Sequence, residues 1–179
     1  MNTTSLLTSA HPHVLDFVQL VLRVWIGGLL FAHGYAKMTK NGKIAGTAGW
    51  FASIGMKPGL LNAYAASLAE MSCGLLLIAG FLTTLASAGA IAVMLVALWT
   101  VHRKNGFFIF NANGGGVEFV ATIAVASLVL GTIGAGSWSL DHRLNLLHWD
   151  LGRNLLVTSV VGVGAAVLQL LAFYRPAKQ

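Results

Sequence analysis

Residues 14–37 read VLDFVQLVLRVWIGGLLFAHGYAK, an apolar stretch that contains one arginine, Arg23. A helix needs about 20 residues to cross about 30 Å of hydrocarbon, because each residue adds about 1.5 Å. Only 13 uncharged residues separate Arg23 from Lys37, so the arginine lies within the span. A charge at that depth costs at least about 2.5 kcal/mol on insertion scales. We therefore expect Arg23 to face the interior of a helix bundle and to have a partner there.

The composition of the chain is that of an integral membrane protein. Of its 179 residues, 56% are hydrophobic and only 9% are charged, whereas soluble domains carry about 25% charged residues. The net charge is +6, but the basic residues lie at the ends of apolar runs and form no basic face with interleaved aromatic residues. This pattern argues against a nucleic-acid partner. The single cysteine, Cys73, excludes an internal disulfide.

The apolar runs predict five spans. Residues 71–101 carry no charge and would measure about 46 Å as one helix, which is too long for one crossing. Gly80 followed by Thr83 and Thr84 supplies a helix stop and a cap, so a helical hairpin is expected, which places Glu70 near the centre of its first helix. A single tilted helix over residues 75–98 is the alternative. The predicted spans are residues 14–37, 62–79, 84–101, 117–133 and 154–174.

The connections predict two surface helices. Within residues 37–61, Ile44, Trp50, Phe51 and Ile54 indicate a short helix that either lies in the membrane interface or folds back into it. Leucines at positions 140, 144, 147 and 151 follow helical spacing, which predicts an amphipathic helix on the membrane surface. The predicted fold is an all-α integral membrane protein with a mobile extracytoplasmic tail (1–13), a four-helix membrane bundle (14–135), an interfacial amphipathic helix (136–153), and a fifth transmembrane helix with a cytoplasmic tail (154–179).

The distribution of lysine and arginine predicts the orientation in the cell membrane. Segments on the side of the amino terminus hold Arg143 and Arg153, whereas the opposite side holds eight basic residues. Cytoplasmic segments carry the excess of lysine and arginine, so the amino terminus is expected outside and the carboxyl terminus in the cytoplasm. The eight residues are Lys37, Lys40, Lys43, Lys57, Arg103, Lys104, Arg175 and Lys178.

Two groups of polar residues are candidates for a site. Arg23 and Glu70 are expected to form a buried pair, which either fixes helix register or lines a pocket for a quinone head group, a sulfur oxyanion or another small ligand. The second group gathers at the cytoplasmic end and either relays protons or holds an anion, or simply lies at the membrane interface. It consists of His33, Lys37, His102 and Glu118.

No metal site is expected. Asp141, His142, His148 and Asp150 are metal-capable types within ten residues. On a helix, however, residues six apart point about 120° away from each other, so His142 and His148 do not have the spacing of a helical two-ligand site. Cys73 has no candidate base beside it in sequence and is read as a small core residue.

Several motifs, taken in order, resemble the DoxX family of small bacterial and archaeal membrane proteins over roughly residues 19–143. They are LRVWIGGLLFAHGYAKM in the first span, the turn at residues 55–58, LAEMSCGLLLIAG around Glu70, NGFFIFNANGGGVEF and GSWSLD. The resemblance implies a four-helix membrane bundle, from which a fifth span departs. It also implies a redox neighbourhood, since family members are associated with membrane oxidoreductase systems, including a thiosulfate:quinone oxidoreductase.

Two functional hypotheses follow. In the first, the chain is an accessory subunit or anchor of a membrane oxidoreductase assembly, without catalytic activity of its own or an intrinsic cofactor, and it contacts quinone through Arg23 and Glu70. Its expected partners are the lipid bilayer and other membrane or redox subunits. In the second, the chain is an autonomous membrane binder or transporter of a small molecule, such as a quinone, a lipid or an anion.

Overall fold

The computed structural model describes residues 12–40, 42–110, 115–146 and 149–176. These residues form an all-helical fold, as predicted, and the tail predicted at residues 1–13 lies almost wholly outside them. The described helices are α1 (Pro12–Thr39), α2 (Lys43–Ser53), α3 (Gly59–Ala79), α4 (Thr83–Thr100), α5 (Val117–Ile133), α6 (Leu140–Arg143) and α7 (Leu151–Phe173), with a 3-10 turn at His102–Lys104.

Four of the described helices are long and apolar enough to cross a membrane: α1, α3, α4 and α7. The fourth predicted span corresponds to α5, a shorter apolar helix of 17 residues. All five predicted spans agree with helix boundaries to within three residues. Helix α4 is the most buried of the four long helices and packs against α3, α5 and α7. The protein is therefore a multi-pass membrane bundle built around α4.

The predicted hairpin between α3 and α4 is confirmed, and the single tilted helix is wrong. Gly80 ends α3 with a φ of 64°, a left-handed conformation that suits glycine. The predicted threonine cap is absent, however. Instead, the carboxylate of Asp141 accepts hydrogen bonds from the backbone amides of Leu82 (2.7 Å) and Thr83 (2.9 Å). A residue nearly 60 positions further along the chain therefore caps α4.

The continuous amphipathic helix predicted over residues 136–153 is wrong. The helix α6 has only four residues, and Asn145 follows it with a φ of 54°. Two separate caps explain the break: the Ser139 hydroxyl accepts from the amide of His142 (3.1 Å), and the Asp150 carboxylate accepts from the amide of Arg153 (3.0 Å). The spacing of the leucines is that of one continuous helix, but Ser139 and Asp150 each cap the start of a separate helix, α6 and α7. Residues 147 and 148 lie outside the described part of the chain.

Helix α2 is the short helix predicted in the long connection, and it packs against α1 and α3. The Thr47 hydroxyl donates a hydrogen bond to the carbonyl of Lys37 (2.7 Å), which ties α2 to the end of α1. Gly59 allows a close approach to α3, since a Cβ there would lie 2.2 Å from the carbonyl oxygen of Ala48. Phe51 and Met56 are buried beneath this helix, so α2 forms part of the bundle wall.

The C-terminal helix α7 packs along α4 and α5, and its end is bound to the turn after α2. The amide of Lys57 donates to the carbonyl of Phe173 (2.9 Å), and the amide of Arg175 donates to the carbonyl of Gly55 (2.6 Å). Helix α7 is the fifth span, which a four-helix bundle does not include. It closes the bundle beside α4. Its last residues lie at the end of the bundle that carries most of the lysines and arginines, which we call the basic end.

Candidate functional site

A cavity of about 800 Å³ lies at the basic end of the bundle, between α1, α2, α3, α4, α5 and α7. We call it the Glu70 cavity. Its lining is mainly apolar and includes Phe51, Val93, Met94 and Phe173. The polar or ionisable side chains at its wall are His33, Lys37, Glu70, Thr100, His102 and Gln169. Small-molecule sites have this size and this combination of an apolar lining with a few polar groups.

A buried ion pair lies at the wall of the cavity. The ammonium of Lys37 on α1 donates a hydrogen bond to the carboxylate of Glu70 on α3. Glu70 is only 4% exposed, whereas about a quarter of the Lys37 side chain is accessible. A buried carboxylate needs a paired cation, because the interior does not solvate its charge. The partner of Glu70 is therefore Lys37.

The predicted pair between Arg23 and Glu70 is wrong, because Arg23 lies at the other end of α3. Its guanidinium donates to the carbonyls of Ile78 (3.3 Å) and Trp138 (2.6 Å), with a longer contact to that of Leu77 (3.5 Å). Carbonyls in the last turn of a helix attract cations, since the helix dipole is negative there. Arg23 is fully buried, as expected, but it stabilises the end of α3 and does not line the Glu70 cavity.

The register between α1 and α3 explains these partners. Gly27 lies against Gly74, and Gly34 lies against Ser67 and Glu70. In an antiparallel pair with this register, Arg23 falls opposite the end of α3. Glu70 falls near Gly34, within reach of the long side chain of Lys37. Arg23, Gly27 and Gly34 fall at helical spacing on one face of α1, which the sequence of this helix alone indicates. The positions on α3 that face them depend on the register between the two helices.

Three of the four residues in the second predicted group line the cavity: His33, Lys37 and His102. The ring of His33 packs against Phe119, with 5.4 Å between ring centroids. His102 lies with Nδ1 2.9 Å from the carbonyl oxygen of Gly115. A carbonyl only accepts, so Nδ1 donates and Nε2 is the acceptor in the neutral ring. The structure thus brings both histidines to the same cavity as the ion pair.

Glu118, the fourth member, does not line the Glu70 cavity. One of its carboxylate oxygens accepts from the backbone amide of Ile109 (3.1 Å), which closes the loop before α5. It lies in the first turn of α5, where the helix dipole favours a negative charge. Glu118 therefore serves the local structure of this loop.

Sequence reasoning missed Thr100, Gln169 and Trp50 at the cavity wall. These residues lie on three different helices, α4, α7 and α2. They meet at one cavity only because α2 and α7 pack against the rest of the bundle, which the sequence does not indicate. It also missed that Asp141 lies within electrostatic reach of Arg23. Asp141 was visible only as one of several polar residues in a supposed surface helix.

A second depression, of about 450 Å³, shares His33, Lys37 and Trp50 with the Glu70 cavity. It lies between the last turns of α1 and the first turns of α2. Cys73 does not line either cavity, and its sulfur lies against Gly89 on α4. The ion pair and the two histidines thus form the chemically richest region among the described residues.

Part of the chain matches a known family of proteins. No curated protein and no solved structure matches the chain. Residues 18–103 match the sequence model of the DoxX family. This segment contains α1 to α4, both members of the Lys37–Glu70 pair, and Arg23, whereas the motifs quoted around α5 and α6 lie beyond it. On this match, residues 18–103, just under half of the chain, are similar to the DoxX family of membrane proteins.

Proposed function

We propose that this protein is an integral-membrane component of an oxidoreductase assembly and that it binds a quinone in the Glu70 cavity. The observation that carries the proposal is the cavity itself: an apolar space of about 800 Å³ with one buried ion pair at its wall. A quinone has an apolar ring and tail and two carbonyl oxygens that accept hydrogen bonds. The cavity matches this combination of apolar body and polar head.

The polar residues have complementary roles in this proposal. Lys37 donates hydrogen bonds to a carbonyl oxygen of the ring, His33 provides a further imidazole nitrogen, and Nε2 of His102 accepts a hydrogen bond from a hydroxyl of the reduced ring. Reduction of a quinone to a quinol takes up two electrons and two protons. Glu70 and the two histidines exchange the protons, and a partner protein supplies the electrons. The chain then needs no reaction of its own, which fits an accessory subunit.

The second candidate is an autonomous membrane binder or carrier of a quinone or lipid. One observation favours it: six helices of this single chain contribute to the lining of the cavity. The difference between the two candidates lies in the partner protein, not in the site. Purification of the tagged protein from its native membrane in mild detergent separates them, because an assembly retains redox proteins in fixed stoichiometry and an autonomous binder retains none.

Binding of a short-chain quinone to the same preparation tests the site. The full chain is reconstituted in lipid nanodiscs and titrated with decylubiquinone, and quenching of tryptophan fluorescence is followed, since Trp50 lies at the cavity wall. We expect saturable binding that weakens at least about tenfold in Glu70→Gln, because the substitution removes the carboxylate that holds the Lys37 ammonium at the cavity wall, and a hydrogen bond from a charged donor contributes about 1.5 kcal/mol or more.

Glu118→Gln is the matched control, since it makes the same chemical change outside the cavity and keeps an acceptor for the amide of Ile109. Its quinone affinity should equal that of the wild type. Thermal unfolding of both variants checks that each is folded. Equal affinity of wild type and Glu70→Gln, or an equal loss in both variants, would contradict the assignment of the cavity.

We also propose that the basic end, which contains the Glu70 cavity, faces the cytoplasm of a bacterial or archaeal cell. The supporting observation is the excess of lysine and arginine at this end, together with the general bias of cytoplasmic segments toward these residues.

A further inference from the structure

The depression between α1 and α2, which we call the α1–α2 pocket, has a different chemistry from the Glu70 cavity. It has a volume of about 450 Å³ and is lined by His33, Lys37, Lys40, Thr47 and Trp50, with two small residues between them. No carboxylate contributes to its lining. It lies where α1 leaves the apolar part of its span and the chain turns into α2. The pocket is therefore basic and adjoins the membrane-facing surface.

Only part of the positive charge at this pocket is paired with a carboxylate of the described residues. Lys40 and Lys43 are exposed, and the amide of Lys43 donates to the carbonyl of Lys40 (2.8 Å), which holds both residues in one turn. Glu70 is paired with Lys37, one of the lysines of the pocket lining. Neither Lys40 nor Lys43 forms an ion pair with a described carboxylate.

The start of α2 adds positive potential. Its first turn contains no acidic residue, and Gly42 at the N-cap provides no side-chain acceptor for the first amides. The amino-terminal end of a helix attracts anions, because its first N–H groups lack partners within the helix. Here this end lies beside a preformed pocket, which Gly46, Thr47 and Trp50 of the following turns line, and beside lysines that form no ion pair with a described carboxylate. The three features favour the same ligand group, a phosphate.

Apolar surface beside the pocket indicates what else the ligand carries. Trp50 forms one wall and is 44% exposed, and Tyr35 on the neighbouring face of α1 is 52% exposed. Aromatic residues of this kind are enriched at the level of lipid head groups. Basic pockets between helices on the cytoplasmic side bind anionic head groups. We propose that the α1–α2 pocket binds the phosphate head group of an anionic phospholipid, whose acyl chains lie along the outer surface of α1.

The two sites share His33, Lys37 and Trp50, but Lys40 and Lys43 do not line the Glu70 cavity, so changing these two lysines tests the lipid proposal separately from quinone binding. The test uses the full-length protein in detergent, mixed with equal amounts of phosphatidylglycerol and phosphatidylcholine, and counts the retained lipids by native mass spectrometry. We expect the wild type to retain phosphatidylglycerol preferentially. Each lysine near a head group is expected to contribute about fivefold to this preference, so Lys40→Ala with Lys43→Ala should abolish most of it.

Lys57→Ala is the matched control, since Lys57 is exposed in the same connection but lies outside both the pocket lining and the turn that joins Lys43 to Lys40. It should keep the preference of the wild type. Equal retention of the two lipids by the wild type, or an equal loss in Lys57→Ala, would overturn the proposal. A further arm adds inorganic phosphate: displacement of the lipid at concentrations near those of the lipid itself would assign the site to free phosphate and overturn the lipid assignment.

Discussion

The Arg23 guanidinium lies against the carboxyl end of α3, where it donates to carbonyls of α3 and to that of Trp138. Asp141, within its electrostatic reach, caps the amino end of α4. The positive charge of Arg23 therefore stabilises the carboxyl end of α3, and the negative charge of Asp141 stabilises the amino end of α4 in the same hairpin. Each helix dipole favours the charge that it receives.

This arrangement predicts a specific energetic coupling. Arg23→Met should destabilise the fold by about 3 kcal/mol, because it leaves buried carbonyls without their donor and removes the positive charge near the Asp141 carboxylate. In a double-mutant cycle with Asp141→Asn, the two substitutions should couple by at least about 0.5 kcal/mol. The measurement is thermal unfolding of the purified variants in one detergent, which gives the differences in unfolding free energy.

A double-mutant cycle of Arg23→Met with Glu70→Gln is the control for the coupling between Arg23 and Asp141. Since Glu70 binds Lys37, these two substitutions should be additive. Strong coupling between Arg23 and Glu70, with none between Arg23 and Asp141, would restore the pair expected from the sequence and contradict the observed contacts.

At the scale of elements, α1 and α3 approach each other through glycine. A Cβ at Gly27 would lie 2.6 Å from the carbonyl oxygen of Gly74, and a Cβ at Gly74 would lie 2.6 Å from that of Gly27. Small residues at helix contacts allow this close packing in membranes. These contacts also set the register that brings Lys37 to Glu70. The packing role of the glycines therefore supports the site indirectly.

Gly27→Ala should therefore destabilise the bundle by about 1–3 kcal/mol, because the added methyl group forces the helices apart. The neighbouring Gly28 offers a strict comparison, since a Cβ there meets nothing within 4 Å. Gly28→Ala should be neutral or slightly stabilising, because alanine favours a helix over glycine. Thermal unfolding of both variants measures the difference, and equal effects would show that the α1–α3 contact does not depend on Gly27.

At the scale of the whole molecule, polar features separate into two ends. The basic end holds the Glu70 cavity and the α1–α2 pocket, and the other end holds Asp16, Arg23 and Asp141. At that second end, the Asp16 carboxylate accepts from the amide of Ser137 (2.6 Å), which ties the start of α1 to the loop after α5. The two proposed binding sites thus lie at one end, and the contacts that cap the α3–α4 hairpin lie at the other.

The proposed orientation predicts which end a membrane-impermeant thiol reagent reaches. In a Cys73→Ala background, Arg143→Cys and Lys57→Cys place single thiols at exposed positions on opposite ends. With intact cells, we expect a charged maleimide to label position 143 and to label position 57 only after the membrane is permeabilised. The reverse pattern would show that the basic end faces outward.

The length and periodicity of apolar runs determined the spans, the hairpin break at Gly80 and the need for charge partners, because each of these depends on one helix and its own ends. The tertiary structure decided which charges meet: Lys37 with Glu70, and Arg23 with the end of α3. It also decided that Asp141 caps a distant helix and that six helices enclose a cavity. These contacts depend on the register between helices, which close glycine packing sets across some 40 residues of chain.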